Sequence, residues 1–354
     1  MKLKNYDLNK RQGYMYKYEQ RQTELDLLRI VALLAVILVH AMGTEGLDDS
    51  DIRWWIYTFV SAIVTWQVPV FVMISGRFFL DPEREVSMKK LWTKYIPHIF
   101  FAFVFWDFLY QLYYFFTGVY EGLNWKGVLT QSLIGPYHFW YLHMLIWLYA
   151  IVPFLRKITI SKKLMEYFIV LFVVFELLTN YGVLLPGIGE TLAVILNKVS
   201  FHFALGYSGY YILGYYLYKY DVPKKIELII YLLGIIAMLS LGLCTLYLAA
   251  TNRSFGIDFT QYLMPNIILE ACAVYTFFVR RLSKIDFSIK VKYLMTKFAE
   301  ISFGIYLVHA LVLGFIGELP ISIPVILCVC VTFFISGVLV YFIRKIPVIG
   351  RKIT

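Results

Sequence analysis

Charge is scarce in this sequence. Asp, Glu, Lys and Arg make up only 16% of its 354 residues, against about a quarter in soluble domains. Polar stretches long enough for a separate soluble domain are also missing, and the largest loop on the basic side, near 281–297, is too short to hold a catalytic one. A soluble multidomain arrangement is therefore excluded, although the length alone would allow it. Only four cysteines are present (Cys244, Cys272, Cys328 and Cys330). All lie in apolar runs, which argues against a disulfide framework and reads as packing. No HExxH pattern occurs. His138 and His143 stand at i, i+5, a poor ligand pair, so no metal site is expected. Neither an internal repeat nor a low-complexity tract is visible. Residues 1–23 are polar and basic, without the apolar core or small-residue cleavage site of a leader, so the first apolar segment is expected to stay as a span.

What the sequence has is apolar length: 60% of it is hydrophobic, 19% aromatic, and its mean hydropathy is +0.69. A bilayer core takes about 20 apolar residues per helix. Ten such segments are read at 24–43, 54–80, 92–117, 137–155, 165–182, 200–219, 226–250, 259–280, 298–316 and 321–343. The fold class expected is an all-α integral membrane protein of about ten transmembrane helices. A basic segment 1–23, a membrane domain 24–343 and a basic tail 344–354 make up the chain. Pro69, Pro97 and Pro153 fall inside the helical patterns and predict kinks.

The net charge of +10 follows a pattern. Of the 33 Lys and Arg, 27 fall on one alternating set of loops and tails. Only Arg53, Lys126, Lys198 and Arg253 fall on the other set, and Arg29 and Arg77 sit within spans. By the positive-inside rule both termini are cytoplasmic and the number of spans is even. The basic excess is an orientation signal, and no nucleic-acid partner is needed to explain it.

Two polar residues interrupt the first span, LLRIVALLAVILVH at 27–40. Arg29 and His40 are eleven positions apart, about three helical turns, so they share one face about 16 Å apart along the axis. A central arginine costs about 2.5–3.5 kcal/mol to insert and should face protein or a wet cavity. Two readings stand for each. Arg29 either snorkels to the inner interface beside Glu24 or Asp26, or serves an anionic substrate; His40 either packs at the outer edge, or acts as a base. All six histidines (His40, His98, His138, His143, His202 and His309) lie in or at the edges of spans, five toward the outer half and His98 toward the inner. Glu176, Asn180 and Trp140 share the outer half. Cations inside and histidines outside suit a reaction across the membrane, with an anionic donor on one face and a hydroxyl acceptor on the other.

Five motifs occur in order: LDLLRIVALLAVILVH at 25–40, VPVFVMISGRFFL at 68–80, KKLWTKYIP at 89–97, FWYLHMLIWLYAIVPFL at 139–155 and ISFGIYLVHALVL at 301–313. Together they resemble the family 3 membrane acyltransferases, bacterial proteins that O-acylate surface glycans, and the resemblance spans nearly the whole chain. The stand-alone branch that acetylates enterobacterial common antigen looks most similar. The resemblance implies acetyl-CoA as cytoplasmic acyl donor, no permanently bound cofactor, and a cell-surface glycan or lipid-linked saccharide as acceptor, within the cell membrane and its lipid. It makes His40 and Arg29 the functional pair. Ser75, Arg77, Lys90, Lys94, Trp140, Tyr141 and His309 form the substrate and acyl-CoA-binding set. Lys90 and Lys94 match positions often held by arginine, which weakens bidentate phosphate binding but leaves charge attraction. For Trp140 and Tyr141 an aromatic belt or core role competes. "SGR" at 75–77 reads equally as small-residue packing followed by a snorkelling Arg77. His40 would act as general base or carry the acetyl group transiently. A rival class is a transporter, because buried ionisable residues also mark solute pathways and the membrane domain of glycopeptide-resistance serine racemases belongs to the same superfamily.

Overall fold

The computed structural model describes residues 21–120, 124–199, 206–251, 258–320 and 323–354; His202 and residues 1–20 of the basic N-terminal segment lie outside them. The described residues are helical throughout, with no strand. Eight helical segments are long and apolar enough to cross a membrane.

Helix α1, Thr23–Gly43, is the axis of the bundle. It begins with Glu24 and Asp26 in the first turn, where the helix dipole favours acid, and ends with His40 in the last. Leu28, Ala32, Leu33 and Ile37 have no solvent exposure, and α1 packs against five later helices. A helix apolar on most of its surface is stable only when other helices cover it.

The segment expected as one span at 54–80 is two helices, α2 (Ile52–Ile63) and α3 (Gln67–Phe79), broken at 64–66. Pro69 causes no mid-helix kink. It occupies the third position of α3, where a missing N–H costs nothing, so the break comes just before it. Pro97 lies inside the continuous helical stretch Met88–Phe116, at the start of α4 (Ile96–Phe116) and directly after a π-helical turn at Leu91–Tyr95, the kind of irregularity that accompanies a proline within a helix. Pro153 is inside its helix as expected, near the end of α6 (Trp140–Ile158), which follows the short α5 (Trp125–Ile134). Next come α7 (Lys162–Tyr181) and the short α8 (Gly189–Val199).

Of the expected span 200–219 the described part is α9 (Gly206–Lys219), and the span expected at 259–280 appears as a shorter helix, α11 (Pro265–Arg280, 16 residues). Both are buried on most of their surface. At the crossing of α3 and α9, a Cβ on Gly76 would lie 2.1 Å from the Tyr211 carbonyl oxygen, and one on Gly214 would lie 2.3 Å from that of Met73. Only glycine permits that backbone approach. The long α10 (Lys224–Thr251) packs on α11 and α2. Finally, α12 (Ile289–Gly317) and α13 (Val325–Ile343) close the bundle around α1.

The 344–354 segment, expected as a basic tail, folds back into the bundle. Trp106 Nε1 donates to the Ile353 carbonyl at 2.7 Å, and Ile353 and Thr354 are buried. An aromatic N–H with no other partner in an apolar interior draws in the backbone that satisfies it.

Candidate active site

A cavity of about 450 Å³ opens at the Thr23 end of α1. Arg29 lines it from α1, Phe71 and Ser75 from α3, and Tyr141, Leu145 and Tyr149 from α6. Its deep end is closed by Tyr141 and Tyr306, whose ring centroids are 5.4 Å apart. Along α6 it runs from Tyr149 to Tyr141, about 12 Å of helical rise.

Four arginines (Arg21, Arg29, Arg344 and Arg351) face this cavity against a single acid, Glu300. Arg21 is held by Asp26 at 2.6 Å and Glu300 at 3.4 Å, while Arg344 donates to the Glu300 carbonyl at 2.7 Å. Asp26, one candidate partner for Arg29, is engaged by Arg21 and by the Thr296 hydroxyl. Among the described residues no ion pair or hydrogen bond engages Arg29 or Arg351. Two free guanidiniums in a largely apolar cleft make it receptive to an anion, phosphate above all.

Beyond Tyr306, away from the arginines, lies a chain of imidazoles. His309, on α12, is fully buried, and its Nδ1 is 2.6 Å from the carbonyl oxygen of Tyr306. A carbonyl only accepts, so His309 Nδ1 carries the proton and, in the neutral ring, its Nε2 is an acceptor. That Nε2 is 2.8 Å from His40 Nδ1, with the two rings nearly parallel and 5.1 Å apart. His40 Nδ1 must therefore be the donor. The remaining lone pair is on His40 Nε2, the nitrogen free to take a proton. His40 is half-buried, its ring edge-on to the exposed Tyr137 at 4.9 Å.

His138 completes the cluster, its ring centroid 5.0 Å from that of His309 and 6.3 Å from that of His40. The Tyr306 hydroxyl donates to the His138 carbonyl. Neither ring nitrogen of His138 has a hydrogen-bond partner among the described residues. Among the described residues no group of three His, Cys, Asp or Glu side chains is arranged to hold a metal ion.

Arg29, Ser75, Tyr141, His40 and His309 are thus gathered along one path, with the first three lining the cavity and the last two beyond it. The "SGR" triplet divides its work: Ser75 lines the cavity, Gly76 makes the helix crossing, and Arg77 binds Asp81 at 2.6 Å beneath the Tyr218 ring. Arg77 does not reach the cavity, nor do the two lysines: Lys90 is half-buried and paired with Glu85 at 2.7 Å, and Lys94 is exposed over Tyr95. Their neighbours Tyr95 and His98 do line it. Trp140 faces away from it, stacked on Tyr262 at 5.4 Å.

A family model for an acyltransferase domain, that of family 3, matches residues 22–346. The chain belongs to the family 3 acyltransferases. It is a multi-pass membrane acyltransferase, as the apolar helices and this match together indicate. No curated protein and no solved structure matches it.

Sequence reasoning passed over Tyr306, Arg344 and Arg351, and weighed His138 only as a metal ligand and as one of the outer-half histidines. Tyr306 stands three residues before His309 inside a motif already singled out, a spacing that puts its carbonyl within reach of a side chain one turn on. The two arginines were counted only toward orientation, because nothing local announces that the 344–354 segment folds back.

Proposed function

We propose that this acyltransferase moves an acetyl group from acetyl-CoA to a hydroxyl of an extracytoplasmic glycan or lipid-linked saccharide, across ten spans of the cell membrane with both termini cytoplasmic. The observation that carries this reading is the hydrogen-bonded series from the carbonyl of Tyr306, which lines the arginine-bearing cavity, through His309 to His40, which leaves His40 Nε2 as proton acceptor.

The donor's phosphates rest against Arg29, Arg344 and Arg351, and its pantetheine arm runs along Tyr149 and Leu145 toward Tyr141 and Tyr306. His40 Nε2 takes the proton of the acceptor hydroxyl as its oxygen attacks the thioester carbon. The new C–O bond forms, the C–S bond breaks, and the departing thiolate receives the proton from the imidazolium. His309 accepts from His40 throughout, which orients the ring and supports its positive charge, the part a third group plays in nucleophile–base–orienter arrangements.

The test uses purified protein in nanodiscs with labelled acetyl-CoA, together with mass spectrometry of surface glycans from cells with and without the protein. Acceptor-dependent thiol release and a glycan acetyl group lost with the protein are expected. Thiol release that His40→Ala leaves unchanged would overturn the reading.

A further inference from the structure

A second cavity, of about 540 Å³, lies at the Gly43 end of α1, opposite the arginines. We infer that it binds an uncharged saccharide unit, the portion of the acceptor next to the reacting hydroxyl; this rests on the transfer reading above.

The lining is aromatic and polar. Trp54, Tyr57 and Tyr262 present rings, and Thr58, Ser61 and Gln67 present hydroxyls and an amide. No Lys, Arg, Asp or Glu lines it among the described residues. At the rim, Arg53 is paired with Glu45 at 2.9 Å and Asp51 at 2.7 Å, and Tyr57 donates to Glu45, so the nearest charges are spent on each other. An anionic ligand would find no cation and a cationic one no carboxylate. An acyl chain would bury these polar groups without partners, at about 1–3 kcal/mol each. A pyranose suits both features, its C–H face lying on an aromatic ring and its hydroxyls meeting amides and hydroxyls.

Two observations point to a built site. Gln67 is only 3% exposed, yet its Oε1 has no hydrogen-bond partner, an acceptor waiting for a donor. Tyr262 is held from two sides, its ring by Trp140 and its carbonyl by the Tyr210 hydroxyl at 2.6 Å. The break at 64–66 starts a new helix at Gln67, which lines this cavity.

The two cavities approach each other along α3. Phe71 lines the first and Gln67 the second, four residues apart, or about 6 Å of rise. On α1, His40 stands one turn before Gly43, about 60° from it around the axis. A hydroxyl at the inner edge of the second cavity and a thioester at the head of the first would thus meet across a layer about one helical turn thick, with His40 beside it.

The experiment omits the donor. Full-length protein in nanodiscs is titrated, by tryptophan fluorescence and isothermal calorimetry, with three neutral trisaccharides (of N-acetylglucosamine, mannose and glucose) and with trigalacturonate. Binding of at least one neutral trisaccharide, not displaced by trigalacturonate, is expected. Affinity should fall about tenfold in Gln67→Leu, which loses a buried hydrogen bond. It should also fall in Gly43→Leu, whose new side chain enters open space, since a Cβ there meets nothing within 4 Å. Elution volume and melting temperature verify that both variants fold, and Trp54→Ala at the rim supplies a third. Binding of the acid alone, no binding, or wild-type affinity in all folded variants would overturn the inference. Neutral binding with no thiol release in the presence of acetyl-CoA would instead overturn the transfer reading and leave this site standing.

Discussion

His309 and Tyr306 are three residues apart on α12, and the bond from His309 Nδ1–H to the Tyr306 carbonyl, at 2.6 Å, fixes the proton positions of two rings. Because His309 must donate there, it can only accept from His40, and His40 is left with one basic nitrogen. A backbone carbonyl, which no side-chain substitution removes, thereby sets which atom of a residue 269 positions from His309 does the chemistry.

His309 is a positioning residue on this account. His309→Phe is expected to lower kcat for thiol release about a hundredfold, the scale of a misplaced general base, with the KM for acetyl-CoA within about threefold. His309→Gln, whose carbonyl oxygen accepts from His40, should recover part of the loss. Equal activity in the two variants would remove the relay.

Donor binding follows the cavity. Arg29→Gln and Arg351→Gln are each expected to raise the KM for acetyl-CoA about tenfold, an effect that shrinks with added salt. Lys90→Gln and Lys94→Gln, at positions outside the cavity, should change it less than about twofold. Initial rates across donor concentrations at two ionic strengths check both, and the reverse ranking would return the phosphates to the lysines.

The crossing of α3 and α9 admits no Cβ. Gly76→Ala pushes a methyl into the Tyr211 backbone and is expected to cost about 3 kcal/mol or more, seen as a fall in melting temperature or loss of folded protein. A melting temperature within about 2 °C of wild type would contradict the packing.

The Arg77–Asp81 pair joins the end of α3 to its following loop, with side-chain exposures of 11% and 13%. Burial pushes the Asp81 carboxyl up, but the Arg77 guanidinium, the Glu83 N–H and Arg84 together leave it below the usual carboxylate value. A depressed folded value means stability present above the unfolded pKa of about 3.9 and lost as pH falls through the folded one. Asp81→Asn is therefore expected to cost about 2 kcal/mol at neutral pH and almost nothing once wild-type Asp81 is protonated. Unfolding at pH 7 and in acid compares the two. A cost unchanged by pH would assign the loss to packing.

Much of the membrane architecture was legible because lipid imposes a one-dimensional rule: a span must be long and apolar, and its backbone must be satisfied within itself. Arg29 and His40 stood out for the same reason, as polar residues in a segment that penalises them. Pro69 misled because a missing N–H is costly inside a helix and free in its first turn, and only the position of the break tells the two apart. The 16-residue α11 is a central helix, held by neighbours more than by length.

Alone, the sequence determined that this chain spans a membrane, that charge is confined to a few interior points, and that an arginine and a histidine share one helical face. Tertiary structure decided which cations reach the cavity, which nitrogen of His40 is basic, and where a second cavity opens. Helical periodicity carries information over one or two turns. Ion pairs, close crossings and imidazole chains join residues tens to hundreds of positions apart, so their geometry exists only once the helices have packed.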